Sequence, residues 1–261
     1  MIPKIIHFCW FGGKPLSEKA EMCIASWKKF LPDYEIRRWD ESNFDINISS
    51  YVKQAYEAQK WAFVADYFRF WVLYNYGGIY FDSDVEVAKS FDEFLSYDLF
   101  TGYESGDTLE AAVIGAVKNQ PLIGNLLNYF DNREFLVEGK ADLTPLPRHF
   151  TSQFVKDYGL IINSKKFSSF DDGKIAVYPE DWFSPMDYCT FKVHDTENTH
   201  CIHRFTNSWR TEEEIKKIKK IGKYQMIFGK KLGWYLANKG FFGTVKKVIT
   251  YPFTKRRTKK H

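Results

Sequence analysis

A long apolar helix pattern that stops on a glycine pair and restarts as a strand constrains this chain more than any other feature. From Ser50 to Asn75 apolar residues recur at helical spacing, with Tyr56, Val64, Phe68, Trp71, Val72 and Tyr76 as expected core positions. Gly77-Gly78 ends the helix, since glycine leaves a helix through positive φ at the least steric cost. Ile79-Tyr80-Phe81 then reads as a short buried strand, which sets Asp82 and Asp84 at its end with only Ser83 between them.

Strand and helix patterns alternate around that unit. Lys4 to Phe11 is a β-type run ending at Gly12-Gly13, and Ser17 to Phe30 is a capped amphipathic helix. Tyr34 to Trp39, Leu99 to Tyr103 and Ala111 to Ala116 read as strands, with a helix from about Pro121 to Phe135. Lys174 to Tyr178 and His200 to Phe205 supply late strands. The alternation predicts a Rossmann-like α/β domain of three layers, and the crowded late strands make its central sheet a mixed one. A chain of 261 residues is long enough for one such domain with an appendage. Cys9, Cys23, Cys189 and Cys201 show no metal-binding spacing and read as reduced, partly buried thiols. Met1 to His7 lacks a signal-peptide pattern and no stretch reaches transmembrane length without charge, so a cytoplasmic location is expected.

Two carboxylates one residue apart at a strand end suit Mg²⁺ or Mn²⁺, which take one or two protein oxygens and complete their shell with phosphates and water. The same Asp-x-Asp pattern also occurs at plain solvated turns. Asp66 and Arg69 sit three apart, hence on one helix face leading to that strand. They form either a surface ion pair or a phosphate- and sugar-binding pair. The dense apolar run around them, Trp61 to Val72, favours the second, because unpaired charge there is costly. Trp10 ends the first strand, where open α/β sheets bind ligands and a base could stack; a core role is the alternative. His203, followed by Asn207, Ser208 and Trp209, offers a third metal ligand or a structural imidazole.

Net charge hides an asymmetry. Of 37 Lys and Arg, 15 lie between 215 and 261, where there is no Asp or Glu. The first 214 residues therefore hold 22 basic against 33 acidic groups, near −11, while the tail is near +15. Phe228, Leu232, Trp234, Tyr235, Phe241 and Phe242 are interleaved with those charges. The mix predicts an amphipathic segment on an anionic membrane surface; nucleic acid or plain solvation is the alternative partner for it. The expected division is 1–214 as the catalytic domain and 215–261 as a basic membrane-association segment, peripheral at the inner face of the cell membrane.

Ile2 to His7 with Trp10 and Gly12-Gly13, Ala65-Asp66-Tyr67-Phe68-Arg69, Tyr76 to Asp84, and His203 with Ser208-Trp209 together resemble the DXD-containing sugar transferases of glycosyltransferase family 32. The ordered blocks span residues 2 to 209. The resemblance implies a GT-A fold, a divalent cation (Mn²⁺ or Mg²⁺) and retaining transfer from a nucleotide sugar. It further implies that Trp10 stacks on the base, that Asp66 and Arg69 bind the sugar, and that Tyr80 positions donor groups. Asp82 would touch ribose, sugar or metal-bound water, Asp84 would ligate the metal, and His203 would complete the protein ligands. Ser208 and Trp209 would meet the diphosphate. UDP-hexose is expected over GDP-mannose, with a saccharide or lipid-linked oligosaccharide acceptor in capsular or other surface polysaccharide synthesis and no nucleic-acid partner. A metal-dependent phosphohydrolase and a non-catalytic membrane or nucleic-acid adaptor are the competing readings.

Overall fold

Period-two alternation along short apolar strands builds the centre of the molecule. The computed structural model describes residues 1–104, 108–206 and 211–238. In chain order the strands are β1 (Ile5–Cys9), β2 (Glu35–Trp39), β3 (Gly78–Phe81), β4 (Val85–Val87), β5 (Leu99–Gly102), β6 (Val113–Ala116), β7 (Leu136–Val137), β8 (Lys140–Ala141), β9 (Ser168–Phe170), β10 (Ile175–Tyr178) and β11 (Cys201–His203). The helices are α1 (Glu18–Phe30), α2 (Ser50–Glu57), α3 (Trp61–Tyr76), α4 (Pro121–Asp131), α5 (Leu146–Tyr158), α6 (Glu180–Phe183) and α7 (Glu212–Phe228). Seven strands form one mixed sheet in the order β2-β1-β3-β6-β5-β10-β9. β1 pairs in parallel with β2 and β3, β6 runs antiparallel to β3 and β5, and β4 and β11 form a separate antiparallel pair.

Alternate strand residues enter two cores. Ile79, Phe81, Phe100 and Val113 pack on one face with Trp27 of α1 and Phe183 of α6. Tyr80, Leu99 and Ile114 face the other, with Phe68 of α3, Leu126 of α4 and Phe150 of α5. The expected three-layer α/β fold with a mixed sheet is what the chain forms. Its four cysteines are free thiols, three of them buried.

The single helix expected from Ser50 to Asn75 is two. Gln59 adopts φ 55, and the Lys60 amide reaches back to the Ala55 carbonyl at 2.9 Å, so the axis breaks between α2 and α3. Tyr76, expected in the core, is 40% exposed at the end of α3. The glycine pair behaves as its chemistry requires. Gly77 and Gly78 have φ 67 and 106, and a Cβ would lie 2.8 Å from the Lys118 amide nitrogen and 2.6 Å from the Ile5 carbonyl respectively. α5 lies in a segment whose pattern gave no helix expectation.

The chain divides into two compact units, Met1–Met186 with Val193–Trp209, and Asp187–Lys192 with Arg210–His261. In the second, α7 opens on a capping box between Thr211 and Glu214 and ends at Gly229, and residues 230–238 are helical again. A Cβ on Gly233 would lie 2.4 Å from the Gln225 Cα, so the two helical stretches are in close approach. α7 crosses the 214/215 line expected from composition. Among the described residues no helix is long and apolar enough to cross a membrane.

Candidate active site

The end of β3 collects the charges. Tyr80 and Asp82 are two apart on an extended strand and so share a face; the Tyr80 hydroxyl donates to Asp82 Oδ1 at 2.6 Å. Tyr80 itself is 1% exposed, so its hydroxyl serves the carboxylate from inside the core. Arg69 reaches the same oxygen at 3.4 Å, donates to Asp66 Oδ1 at 2.8 Å and to the Ala111 carbonyl, and lies over the Tyr80 ring at 4.9 Å. Its Nε is buried without a hydrogen-bond partner among the described residues. Burial works against the Arg69 charge, but the Asp82 and Asp66 carboxylates hold its pKa above the ordinary value. Burial pushes the Asp66 carboxyl up to about 6 despite Arg69. Asp66 also lines a cavity with Tyr51, Arg133, Asp142 and His149.

Asp84 stands in a second cluster. β11 lies antiparallel to β4 with His203 opposite Val85, which carries the imidazole across 119 residues of sequence to Asp84. His203 Nε2 is 3.4 Å from Asp84 Oδ1. The Thr206 amide and hydroxyl both donate to Asp84 Oδ2, at 2.8 and 2.9 Å. Burial alone would raise the Asp84 pKa; His203 and Thr206 outweigh it and hold the carboxyl well below the usual range. On the far side of the ring, His203 Nδ1 faces Glu110 Oε2 at 3.1 Å. Burial opposes the imidazolium, yet Glu110 and Asp84 together raise the His203 pKa well above its ordinary value.

Asp82, Asp84 and His203 each offer a ligand atom, all within 4.8 Å of one another. Two carboxylate oxygens and one imidazole nitrogen fit Mn²⁺ and, less well, Mg²⁺. Thr206 occupies one Asp84 oxygen and leaves the one that faces His203, and a cation would take the place of the direct pairing between that oxygen and the imidazole.

The expected residues fall into three sets. Asp66, Arg69, Tyr80 and Asp82 form one bonded group, and Asp84 joins His203. Trp10 stands apart: half-buried, it donates from its indole to the Lys14 carbonyl at 2.8 Å. Ser208 and Trp209 lie outside the described residues. Sequence reasoning missed Glu110 and Thr206, which touch the expected ligands, and Trp61, which lines a cleft beside β1 with Gly12, Gly13, Glu41, Tyr56 and Gln59. Gly12 is at φ 93, and a Cβ there would lie 2.7 Å from the Trp61 ring. The Gly12 amide and the Tyr56 hydroxyl both donate to Glu41, at 2.6 and 3.0 Å. The aromatic patterning at the start of α3 could have flagged Trp61; no local signal marks Glu110.

Residues 17–101, which contain Asp82-Ser83-Asp84, match the glycosyltransferase sugar-binding region containing the DXD motif. The chain is 31% identical over 133 residues to inositol phosphoceramide mannosyltransferase 3 of Schizosaccharomyces pombe, covering 47% of this chain and 35% of that protein. It is 30% identical over 132 residues to an uncharacterized glycosyltransferase of Acanthamoeba polyphaga mimivirus, covering 46% and 51%. The chain thus spans about a third to a half of the length of these relatives. Among solved structures, the PaToxG glycosyltransferase has TM-score 0.45 at 24% identity, over 60% of this chain and 69% of that one. A glycosyltransferase involved in the glycosylation of the major capsid of PBCV-1 has TM-score 0.41 at 12% identity, over 78% and 95%. At residues 17–101 the chain is therefore similar to the glycosyltransferase sugar-binding region that contains the DXD motif.

Proposed function

We propose that this protein is a metal-dependent, retaining glycosyltransferase that moves a hexose from a nucleotide sugar, UDP-linked rather than GDP-linked, to a saccharide acceptor. The observation that carries the reading is the convergence of Asp82, Asp84 and His203 within 4.8 Å, inside the matched sugar-binding region or brought to it by β11. A bound Mn²⁺ or Mg²⁺ supplies Lewis acidity toward the departing diphosphate. Asp84 and His203 hold that position, with Thr206 fixing the Asp84 carboxylate.

Asp82 is the donor-side carboxylate, aimed by Tyr80 and Arg69. With Asp66 it stabilises positive charge developing on the sugar ring, and the pre-set hydrogen bonds spare the reaction the cost of reorienting dipoles. Arg69 pairs with both carboxylates and offsets their mutual repulsion. The acceptor hydroxyl attacks on the leaving-group side and gives its proton to the departing phosphate oxygen, so no covalent sugar–enzyme bond forms; trapping one would overturn this step. Trp61 and Trp10 offer aromatic faces near the β1 cleft for the base, and Ser208 and Trp209 are assigned to the diphosphate by resemblance.

The second unit supports membrane delivery. Lys216, Lys217, Lys219, Lys220, Lys223, Lys230 and Lys231 are exposed, beside exposed Met226, Ile227, Phe228, Leu232 and Trp234. Cationic and apolar groups presented together favour an anionic lipid surface. There the acceptor is a lipid-linked oligosaccharide, and the setting is surface polysaccharide assembly at the cytoplasmic face. The deciding experiment is a panel of UDP- and GDP-sugars with Mn²⁺, scored for slow hydrolysis and thermal shift. A UDP-hexose response that vanishes in Asp84→Ala supports the reading; no response to any nucleotide sugar refutes it.

A further inference from the structure

Glu110 sits between β5 and β6 on the far side of His203 from Asp84, and it is 1% exposed. Its setting is fixed from several directions. Oε1 accepts from the Ala112 amide at 2.8 Å, the Glu110 amide donates to the Gly102 carbonyl at 2.8 Å, and the Thr101 hydroxyl donates to the Glu110 carbonyl at 2.8 Å. Oε2 is left to face His203 Nδ1 at 3.1 Å. A carboxylate buried this deeply is tolerated only with a charged or strongly polar partner.

We propose that Glu110 is a positioning residue for the cation site: its carboxylate fixes the His203 ring so that Nε2 is turned toward Asp84 and the metal. The inference rests on the functional reading above. An imidazole ligates through a nitrogen that carries no proton, and an ionised carboxylate can only accept, so Glu110 selects the tautomer with hydrogen on Nδ1 and leaves the Nε2 lone pair free. Glu110 is too buried to touch a substrate, so it acts through His203. Glu104, held by the Thr108 hydroxyl at 2.8 Å, is a further carboxylate close to this ring, and Glu104, Glu110 and His203 offer ligand atoms within 4.8 Å of one another. A cation held by those three is the rival arrangement.

The test is Mn²⁺ affinity, read from the electron paramagnetic resonance of free Mn²⁺ in the presence of UDP, for the full-length wild type, Glu110→Gln, His203→Asn and the double variant. Glutamine has a single acceptor oxygen. If that oxygen keeps the Ala112 amide, the NH₂ group faces Nδ1 and forces the proton onto Nε2. Mn²⁺ binding is expected to weaken about 10- to 100-fold in Glu110→Gln. The double variant is expected to bind no more weakly than His203→Asn, because Glu110 has no effect without the ring. Wild-type affinity in Glu110→Gln, or an undiminished further loss in the His203→Asn background, overturns the inference while leaving the functional reading intact. A second Mn²⁺ per chain that disappears in Glu110→Gln also overturns it, in favour of the rival site. Absence of Mn²⁺-dependent UDP binding in the wild type defeats the functional reading itself, and the inference with it. Thermal unfolding monitors folding; should Glu110→Gln unfold, Glu110→Asp, whose shorter side chain withdraws from Nδ1, is expected to show the same loss, and full affinity there decides against the proposal.

Discussion

The β3 end and the C-terminal helical unit treat charge in opposite ways. At the β3 end Arg69, Asp66, Asp84, Glu110 and His203 are buried or nearly so, and each is bonded to another member or to a backbone group. In α7 and residues 230–238 the lysines are exposed, and the ion pair of Lys216 with Glu212, at 3.8 Å between side chains at least 77% exposed, is worth little. Buried charges fix geometry because each one left alone costs several kcal/mol. Exposed charges fix no geometry, but they sum into a field that attracts an oppositely charged surface. The proposed roles differ in the same way: a site that holds a small ligand in one pose, and a surface that meets a broad partner in many.

That contrast can be broken at several points. The largest effect is expected from Asp84→Ala, which should lower Mn²⁺-dependent UDP-hexose hydrolysis by about three orders of magnitude and leave sedimentation with anionic liposomes unchanged; loss of both would mean the regions are not separable. Replacing Lys216, Lys217, Lys219 and Lys220 together by Glu should weaken partition onto phosphatidylserine vesicles by about two orders of magnitude at low salt, at about 1 kcal/mol or less per lysine. Hydrolysis of a soluble donor should not change.

A smaller effect concerns pH. His7 is fully buried between the Gly77 carbonyl, to which Nε2 donates at 2.9 Å, and the Trp39 indole, which donates to Nδ1 at 3.2 Å. Burial lowers its pKa to about 4. The unfolded chain, with an ordinary histidine, then binds the extra proton between about pH 6.5 and 4, so folding stability falls as pH drops through that window. The His7 contribution to that fall is about 1–3 kcal/mol, and the loss of unfolding free energy between pH 7 and 5, from urea titrations, should be smaller in His7→Gln than in wild type by about that amount. The smallest effect is the sharpest test of independence. A Cβ on Gly222 would lie 2.0 Å from the Cys189 carbonyl oxygen, so Gly222→Ala should disturb the packing of α7 on the 187–192 segment. Donor hydrolysis should stay within about twofold, as expected for a change confined to the second unit.

Local chemistry was legible in the sequence wherever neighbours in the chain are neighbours in space. The helix leading to Gly77-Gly78, the strand after it and the pair Asp82 and Asp84 lie within one continuous run, and periodicity and glycine stereochemistry describe it except at Tyr76, which the helix end leaves exposed. The Asp66 and Arg69 pairing followed from helical spacing. The α2–α3 break did not, because it hangs on one residue at positive φ and one backbone bond from Lys60 to Ala55. Trp10 carried the signal for a ligand-facing aromatic, whereas Trp61 is the tryptophan lining the β1 cleft, packed where Gly12 has no side chain.

By itself the sequence determined the α/β class, the acidic edge at the end of β3 and the division between an acidic body and a basic tail, since each is a matter of period, residue type or count. Tertiary structure alone decided which groups those carboxylates meet. Thr206 lies 122 residues from Asp84, and Glu110 lies 93 from His203. The antiparallel pairing of β11 with β4 joins the two ends of that arrangement. Strand pairing is set by the fit of whole buried faces, so no pattern within β11 reveals which strand it will lie against or which carboxylate its histidine will reach.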